Sequence, residues 1–198
     1  MITNKKDYLS YLEQDKKALG IEKKYPSLIG DEVWKFQRRL RKTEFFKNTS
    51  NGNIIKKLFY IFSMIRFHRL RVKYGFSIPL NVFGPGLSIA HFGSIVVNGN
   101  AKVGENCRIQ DSVTIGATNG ESDAPVIGNN VFIGSGARII GKVNIASDIA
   151  IGANAVVVKD FNKSGITIGG VPAKKISDNN SHSNLNKFLE IDKWNHIL

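Results

Sequence analysis

Through the second half of the chain an aliphatic residue returns at every sixth position. The clearest run is Ile127, Ile133, Ile139, Ile145 and Ile151, each followed four places later by a small or β-branched residue: Val131, Ala137, Val143, Ile149 and Ala155. The beat holds upstream at Val97, Val103, Ile109 and Ile115, with Ala101, Cys107 and Val113 in the companion slots. A helix repeats at about 3.6 residues, so positions six apart drift around its surface and cannot share a face. A parallel β-helix uses the pattern directly, each hexad being one short strand plus a corner. The spacing predicts such a domain over residues 76–176.

One hexad breaks the rule. Ile127 stands two periods after Ile115, but the slot between them holds Glu121. A charge cannot face so narrow an apolar interior without a partner. Residues 117–126 are therefore expected to leave the coil as an extruded loop, and loops that interrupt a regular scaffold are where function concentrates.

Ahead of the coils the pattern is helical. Residues 4–19 carry Tyr8, Leu9, Tyr11 and Leu12 on one side and stop at Gly20. Asp31 is placed as N-cap of a second helix bearing Val33, Trp34, Phe36 and Leu40. Residues 48–53 read as a loop, and a third helix follows from about Ile54 to Tyr74. In it Ile54, Leu58, Ile61, Ile65 and Val72 repeat at helical spacing, with Phe59 and Phe62 widening the face. That face has two possible covers, the β-helix or an anionic membrane surface. The first is preferred, because the end of a β-helix leaves strand edges that need covering. After a polar stretch at 177–184, Leu185, Phe188, Leu189 and Trp194 predict a short C-terminal helix. The organisation expected is a helical segment at 1–75, the β-helix at 76–176 and a tail at 177–198.

Charge sharpens this division. The net charge is +12 over 198 residues, yet residues 1–75 hold 18 Lys and Arg against 7 Asp and Glu, leaving the coils nearly neutral. A basic segment beside a neutral domain favours an anionic partner, such as an acidic glycan or a membrane surface, and Arg66, Arg69 and Arg71 are its candidate contacts. No aromatic-and-basic nucleic-acid module is recognisable. The single cysteine, Cys107, excludes an internal disulfide and occupies an inward slot, as a core thiol does. The first twenty residues are charged throughout, unlike a signal peptide, and the longest apolar run, Leu58 to Ile65, is far short of the ~20 residues that span a bilayer. The expected location is the cytoplasm, extending to the inner face of the membrane.

Of the four histidines, His68 lies on the third helix, His182 and His196 lie in the tail, and only His91 lies among the coils. Counted in phase, His91 takes a slot that elsewhere holds an inward aliphatic. Either it is a core histidine, or the chain departs from the pattern there and offers the imidazole to a cleft. A metal-dependent β-helix of the carbonic-anhydrase kind needs three histidines around one metal, and one coil histidine does not supply them. A non-catalytic structural β-helix stays open.

The stretch Ile89-Ala-His-Phe-Gly-Ser-Ile-Val-Val97, the approach Ser112-Val-Thr-Ile-Gly116 and the end Gly169-Gly-Val-Pro-Ala173, set among the hexads, resemble the hexapeptide-repeat acyltransferases. The nearest branch is that of the serine acetyltransferases and their capsular and exopolysaccharide O-acetyltransferase relatives. The resemblance covers residues 76–176. It implies a left-handed β-helix, a homotrimer, acetyl-CoA as donor, no required metal, and His91 as the general base acting on an acceptor hydroxyl. Imidazole suits that work because a hydroxyl is a poor nucleophile at neutral pH. Asn98 is a candidate donor to the oxyanion. Aligned on the hexads, the family's coenzyme A contacts fall at Ala117, Ser135, Gly136 and Ala153, with Lys159, Lys174 and Lys175 toward its phosphates. The departures are specific. Carboxylates that the serine enzymes carry correspond to Ala90 and Phe76 here, and a second histidine corresponds to Ala124. Their loss argues for a sugar hydroxyl of a capsular or other surface polysaccharide as acceptor, with serine as the alternative.

Overall fold

A computed structural model describes residues 1–118 and 122–187. Glu121, His196 and the C-terminal helix expected around Phe188, Leu189 and Trp194 lie outside the described residues.

The coils form a left-handed parallel β-helix with three walls. The first wall stacks Phe76–Ser77, Ile95–Val97, Thr114–Gly116, Arg138–Ile140 and Val156–Val157. The second stacks Lys102–Val103, Val126–Ile127 and Asn144–Ile145. The third stacks Ser88–Ile89, Arg108–Ile109, Phe132–Ile133, Ala150–Ile151 and Thr167–Gly169, with Lys174–Ser177 added antiparallel at its outer edge. The hexad openers stack on one another: Ile127 lies between Val103 and Ile145, Ile133 between Ile109 and Ile151, and Ile139 between Ile115 and Val157. These openers and their companion residues are buried. No strand of two or three residues holds by itself, so the core is built by stacking. Cys107 is inside as expected, and burial pushes its thiol up to about 12.

The same register locates the extruded loop. Stacked partners below it lie 18 residues apart, as in Ile127 and Ile145, whereas Val103 and Ile127, above and below it, lie 24 apart. Six surplus residues therefore fall between Gly116 and Val126, while the flanking strands keep their places in the walls.

Corners between the second and third walls are turned by left-handed residues, Asn106, Asn130 and Asp148, with φ of 56°, 55° and 61°. Asn and Asp tolerate this conformation because their short polar side chains bond locally. Here they bond to each other along the stack: Asn106 Nδ2 donates to Asn130 Oδ1 at 2.8 Å, and Asn130 Nδ2 donates to Asp148 Oδ1 at 2.9 Å. His182 Nε2, 2.8 Å from Asp148 Oδ1, extends the ladder, and the Ser181 hydroxyl donates to the Asn130 carbonyl. Residues 177–187 thus turn back along the coils, bringing Asn186 beside Gly20 at the end of the first helix.

The helical layer consists of α1 (Lys5–Ala18), α2 (Glu32–Thr49) and α3 (Ile54–Tyr74). Asn4 and Asn53 cap α1 and α3, each side-chain oxygen accepting from an amide three residues on. Asp31 stands at the N-cap position of α2 as expected, and its carbonyl accepts the Lys35 amide, but its side chain makes no cap bond. It takes a left-handed φ of 57°, pairs with Lys23 and accepts the Ser27 amide at 2.8 Å.

The strand edge of the first coil is covered by polar side chains from α1 and α2. Gln37 Nε2 donates to the Leu87 carbonyl at 2.6 Å, and its Oε1 accepts the Ile89 amide at 3.2 Å, reproducing a missing neighbour strand. Asp15 Oδ1 accepts the Gly86 and Leu87 amides, each at 2.9 Å. Arg41 donates to the Phe83 and Gly84 carbonyls while pairing with Asp15 and Glu44, and Glu44 in turn accepts the Asn81 amide. Asp15, Arg41 and Glu44 are all buried. Burial alone would lower the Arg41 pKa, but the two carboxylates outweigh it and push it up.

The preferred cover for the apolar face of α3 is not observed. The helix buries only Ser63 and Phe67, whereas Ile54, Leu58, Ile61, Ile65 and Val72 all face outward. The coil edge offers backbone donors and acceptors, which α1 and α2 satisfy with polar groups, while α3 meets the first coil through its opposite side, with Phe67 in the core and Met64, Leu70 and Tyr74 packed against it.

Candidate active site

Ile89 stacks on Ile109, and the two are 20 residues apart where a regular coil has 18. Two extra residues therefore enter the corner between the third and first walls. Ile89 and Ile95 keep the inward places, and the segment Ala90–Ser94 swings out with His91 exposed. Of the two readings open for His91, the second is observed.

Neighbouring groups fix this corner. Phe92 stacks on Tyr74 of α3 with ring centroids 5.5 Å apart. Gly93 has a φ of 141° and lies over Asp111, whose Cβ would stand 3.0 Å from any Cβ built at position 93, so the approach needs glycine. Asp111 is the next residue down the corner. Its Oδ1 accepts the Ser135 hydroxyl at 2.7 Å and its Oδ2 accepts the Ser112 hydroxyl at 3.1 Å. These bonds hold its carboxyl below the usual carboxylate range, and His91, acting through space, pulls the same way. Asp31, Glu32 and Val33 at the start of α2 face Ala90, His91 and Phe92 across a cleft of 480 Å³.

Below Asp111 the same corner continues through Ser135–Gly136 to Ala153–Asn154. Gly136 donates its amide to the Asp111 carbonyl at 3.0 Å, and Asn154 donates to the Ser135 carbonyl at 2.8 Å. Gly136 is left-handed at φ 73°, and a Cβ there would run into the Asn154 side chain. His91, Ser135, Gly136 and Ala153 therefore share one column, whose lower part is lined by small residues.

The other expected site residues lie elsewhere. Asn98, Ala117 and Lys159 follow first-wall strands on their far side, so the width of that wall separates them from His91 within one chain. The Asn98 side-chain oxygen accepts the Asn100 amide at 2.8 Å. Lys174 and Lys175 are exposed on the outer antiparallel strand, and Lys175 pairs with Asp178 at 2.5 Å. Arg66 lies over the Phe62 ring and Arg69 is exposed, whereas Arg71 donates to the Phe76 carbonyl and Ser77 hydroxyl, tying α3 to the first coil. The residues that periodicity did not reveal are Asp111, Asp31 and Glu32. A signal for Asp111 existed, since it falls one coil after His91; none linked α2 to a histidine some sixty residues away. One of the family departures is also explained locally: Phe76 is buried edge-on against Phe36, with centroids 4.9 Å apart, so that place has no room for a charge, whereas Ala124 packs partly buried against the core. Among the described residues no cluster of three or more His, Cys, Asp or Glu side chains could hold a metal.

No family model matches the chain. Among curated proteins it is 38% identical over 100 residues to a serine acetyltransferase of Mycobacterium tuberculosis, covering 50% of this chain and 43% of that protein. It is 34% identical over 125 residues to a serine acetyltransferase of Helicobacter pylori, covering 62% of this chain and 72% of that protein. Against the Mycobacterium protein, then, the chain spans less than half of the relative's length. Solved structures agree on the fold. A serine acetyltransferase from Brucella abortus superposes with a TM-score of 0.67 at 24% identity, over 89% of this chain and 71% of that one. A serine acetyltransferase solved in complex with CoA superposes with a TM-score of 0.66 at 22% identity, over 87% and 71%. By its coils, its histidine corner and these relatives, the chain belongs to the serine acetyltransferase family of hexapeptide-repeat acyltransferases.

Proposed function

We propose that the chain is an acetyl-CoA-dependent O-acetyltransferase, working as a homotrimer with His91 as general base. The observation that carries this reading is the expulsion of His91 from the coil interior onto the head of a column of small residues. Ser135, Gly136 and Ala153 let a slender pantetheine arm lie close to the backbone, and the exposed Lys159, Lys174 and Lys175 suit its phosphates. Asn98 and Ala117, set across the first wall, fit a cleft completed by a neighbouring subunit. When bound, acetyl-CoA supplies an acyl group activated as a thioester. His91 takes the proton of the acceptor hydroxyl on a ring nitrogen as the oxygen attacks, and returns it to the departing sulfur. The Asp111 carboxylate, fixed by Ser135 and Ser112, balances the positive charge that His91 gains between those steps.

The names of the relatives favour serine as acceptor; Asp31 and Glu32 line the His91 cleft from α2, but Lys23 and Lys35 already pair with them, so the cleft gains little net acidic charge from α2. A sugar hydroxyl of a surface polysaccharide is the second reading, favoured by Ala90, Phe76 and Ala124 where the serine enzymes carry carboxylates and a histidine. Parallel assays of coenzyme A release with serine and with capsular oligosaccharide decide between them. Turnover of serine at submillimolar concentration removes the polysaccharide reading, and turnover of glycan alone removes serine. His91→Ala is expected to lower kcat by about 10²–10⁴-fold. Full activity in that variant would refute the assignment of the base.

A further inference from the structure

The apolar stripe of α3 has no cover. Ile54, Leu58, Ile61 and Ile65 are 78%, 61%, 47% and 49% exposed, and Val72 continues the line at 71%. On a helical wheel these five lie opposite the buried Ser63 and Phe67, so the outermost ridge of the helix is aliphatic. Phe62, more than half exposed, widens it, whereas Phe59 stacks on Phe46 of α2 with ring centroids 5.6 Å apart. Cations flank the ridge: Lys57 on one side, Arg66, Arg69 and Lys73 on the other, all exposed. The helix contains no Asp or Glu at all.

We propose that this ridge is a docking surface for an anionic lipid bilayer, on which α3 lies flat. A helix with an aliphatic crest and a cationic border matches an interface where acyl chains adjoin negative headgroups, since Lys and Arg stems follow the apolar surface while their heads reach the phosphates. Charge complementarity chooses lipid over a second copy of the chain. Two copies meeting through α3 would bring their cationic borders together with no carboxylate on either helix. The mode is peripheral, because no helix among the described residues is long and apolar enough to cross a membrane. The inference stands apart from the proposed catalysis, since none of its ridge residues belongs to the His91 corner.

Co-sedimentation of the full chain with vesicles tests it. Binding is expected to phosphatidylcholine vesicles containing phosphatidylglycerol and to be absent with phosphatidylcholine alone. The double variant L58E/I65E is expected to lower the partition coefficient by about tenfold or more without changing Tm, because both side chains are exposed. R66Q/R69Q/K73Q is expected to weaken binding and reduce its sensitivity to salt. Failure to bind the anionic vesicles overturns the proposal. So does a change of oligomeric state in L58E/I65E by sedimentation velocity with vesicle binding intact, which would make the ridge a contact between copies.

Discussion

Helices α2 and α3 are neighbours in sequence and both look amphipathic, yet they use their faces in opposite senses. The α2 helix buries Gln37, Arg41, Thr43 and Glu44 beside Trp34, Phe36 and Leu40, whereas α3 buries a serine and one phenylalanine and exposes its aliphatic ridge. Hydrophobicity alone would assign the two helices the other way round. What decides is the surface each meets. The first coil presents unpaired amides and carbonyls, and only polar side chains satisfy these; an aliphatic helix laid on that edge would strand them at about 1–3 kcal/mol each. Polar groups are therefore inside because the end of a β-helix is itself polar.

This contrast can be broken at chosen residues. The largest effect is expected from Arg41→Met, which leaves Asp15 and Glu44 buried without their counter-charge and frees two coil carbonyls. Urea unfolding should show a loss of about 3–5 kcal/mol. Replacing Asp15, Arg41 and Glu44 together by apolar residues should not restore stability, unlike a self-contained ion triad, because the amides of Asn81, Gly86 and Leu87 lose their acceptors too. Recovery to the parent midpoint would show that the edge bonds contribute little. Next is Gln37→Leu, similar in volume but unable to bridge the Leu87 carbonyl and Ile89 amide, at about 1–3 kcal/mol by the same measurement. The smallest is Leu58→Gln on α3, where denaturant midpoints should agree within about 0.5 kcal/mol. A larger loss in monomeric protein would mean that the ridge packs on something within the chain.

The coil interior was legible because burial in a stacked fold repeats with the sequence. Ile109, Cys107 and Ile139 are inside for the same periodic reason, and the six surplus residues of the register fall in the stretch where a charge stands in an apolar slot. The orientation of His91 was not, because its slot is set by a two-residue insertion that an opener count passes over. Only the pairing of Ile89 with Ile109 exposes it. For α3, periodicity identified the apolar face correctly, but which surface covers a face is a tertiary fact. Asp31 and Glu32 stayed hidden as part of the His91 cleft for the same reason.

The loop at residues 117–126 also uncouples two lengths that coincide elsewhere in the coils. Each turn climbs by one strand spacing, about 4.8 Å, whether it is drawn from 18 residues or from the 24 that separate Val103 and Ile127. Contour is added there without height. Since closing a loop costs only slowly more as it lengthens, this stretch can grow or shrink while the axial ruler of the molecule, and every side chain read against it, stays in place.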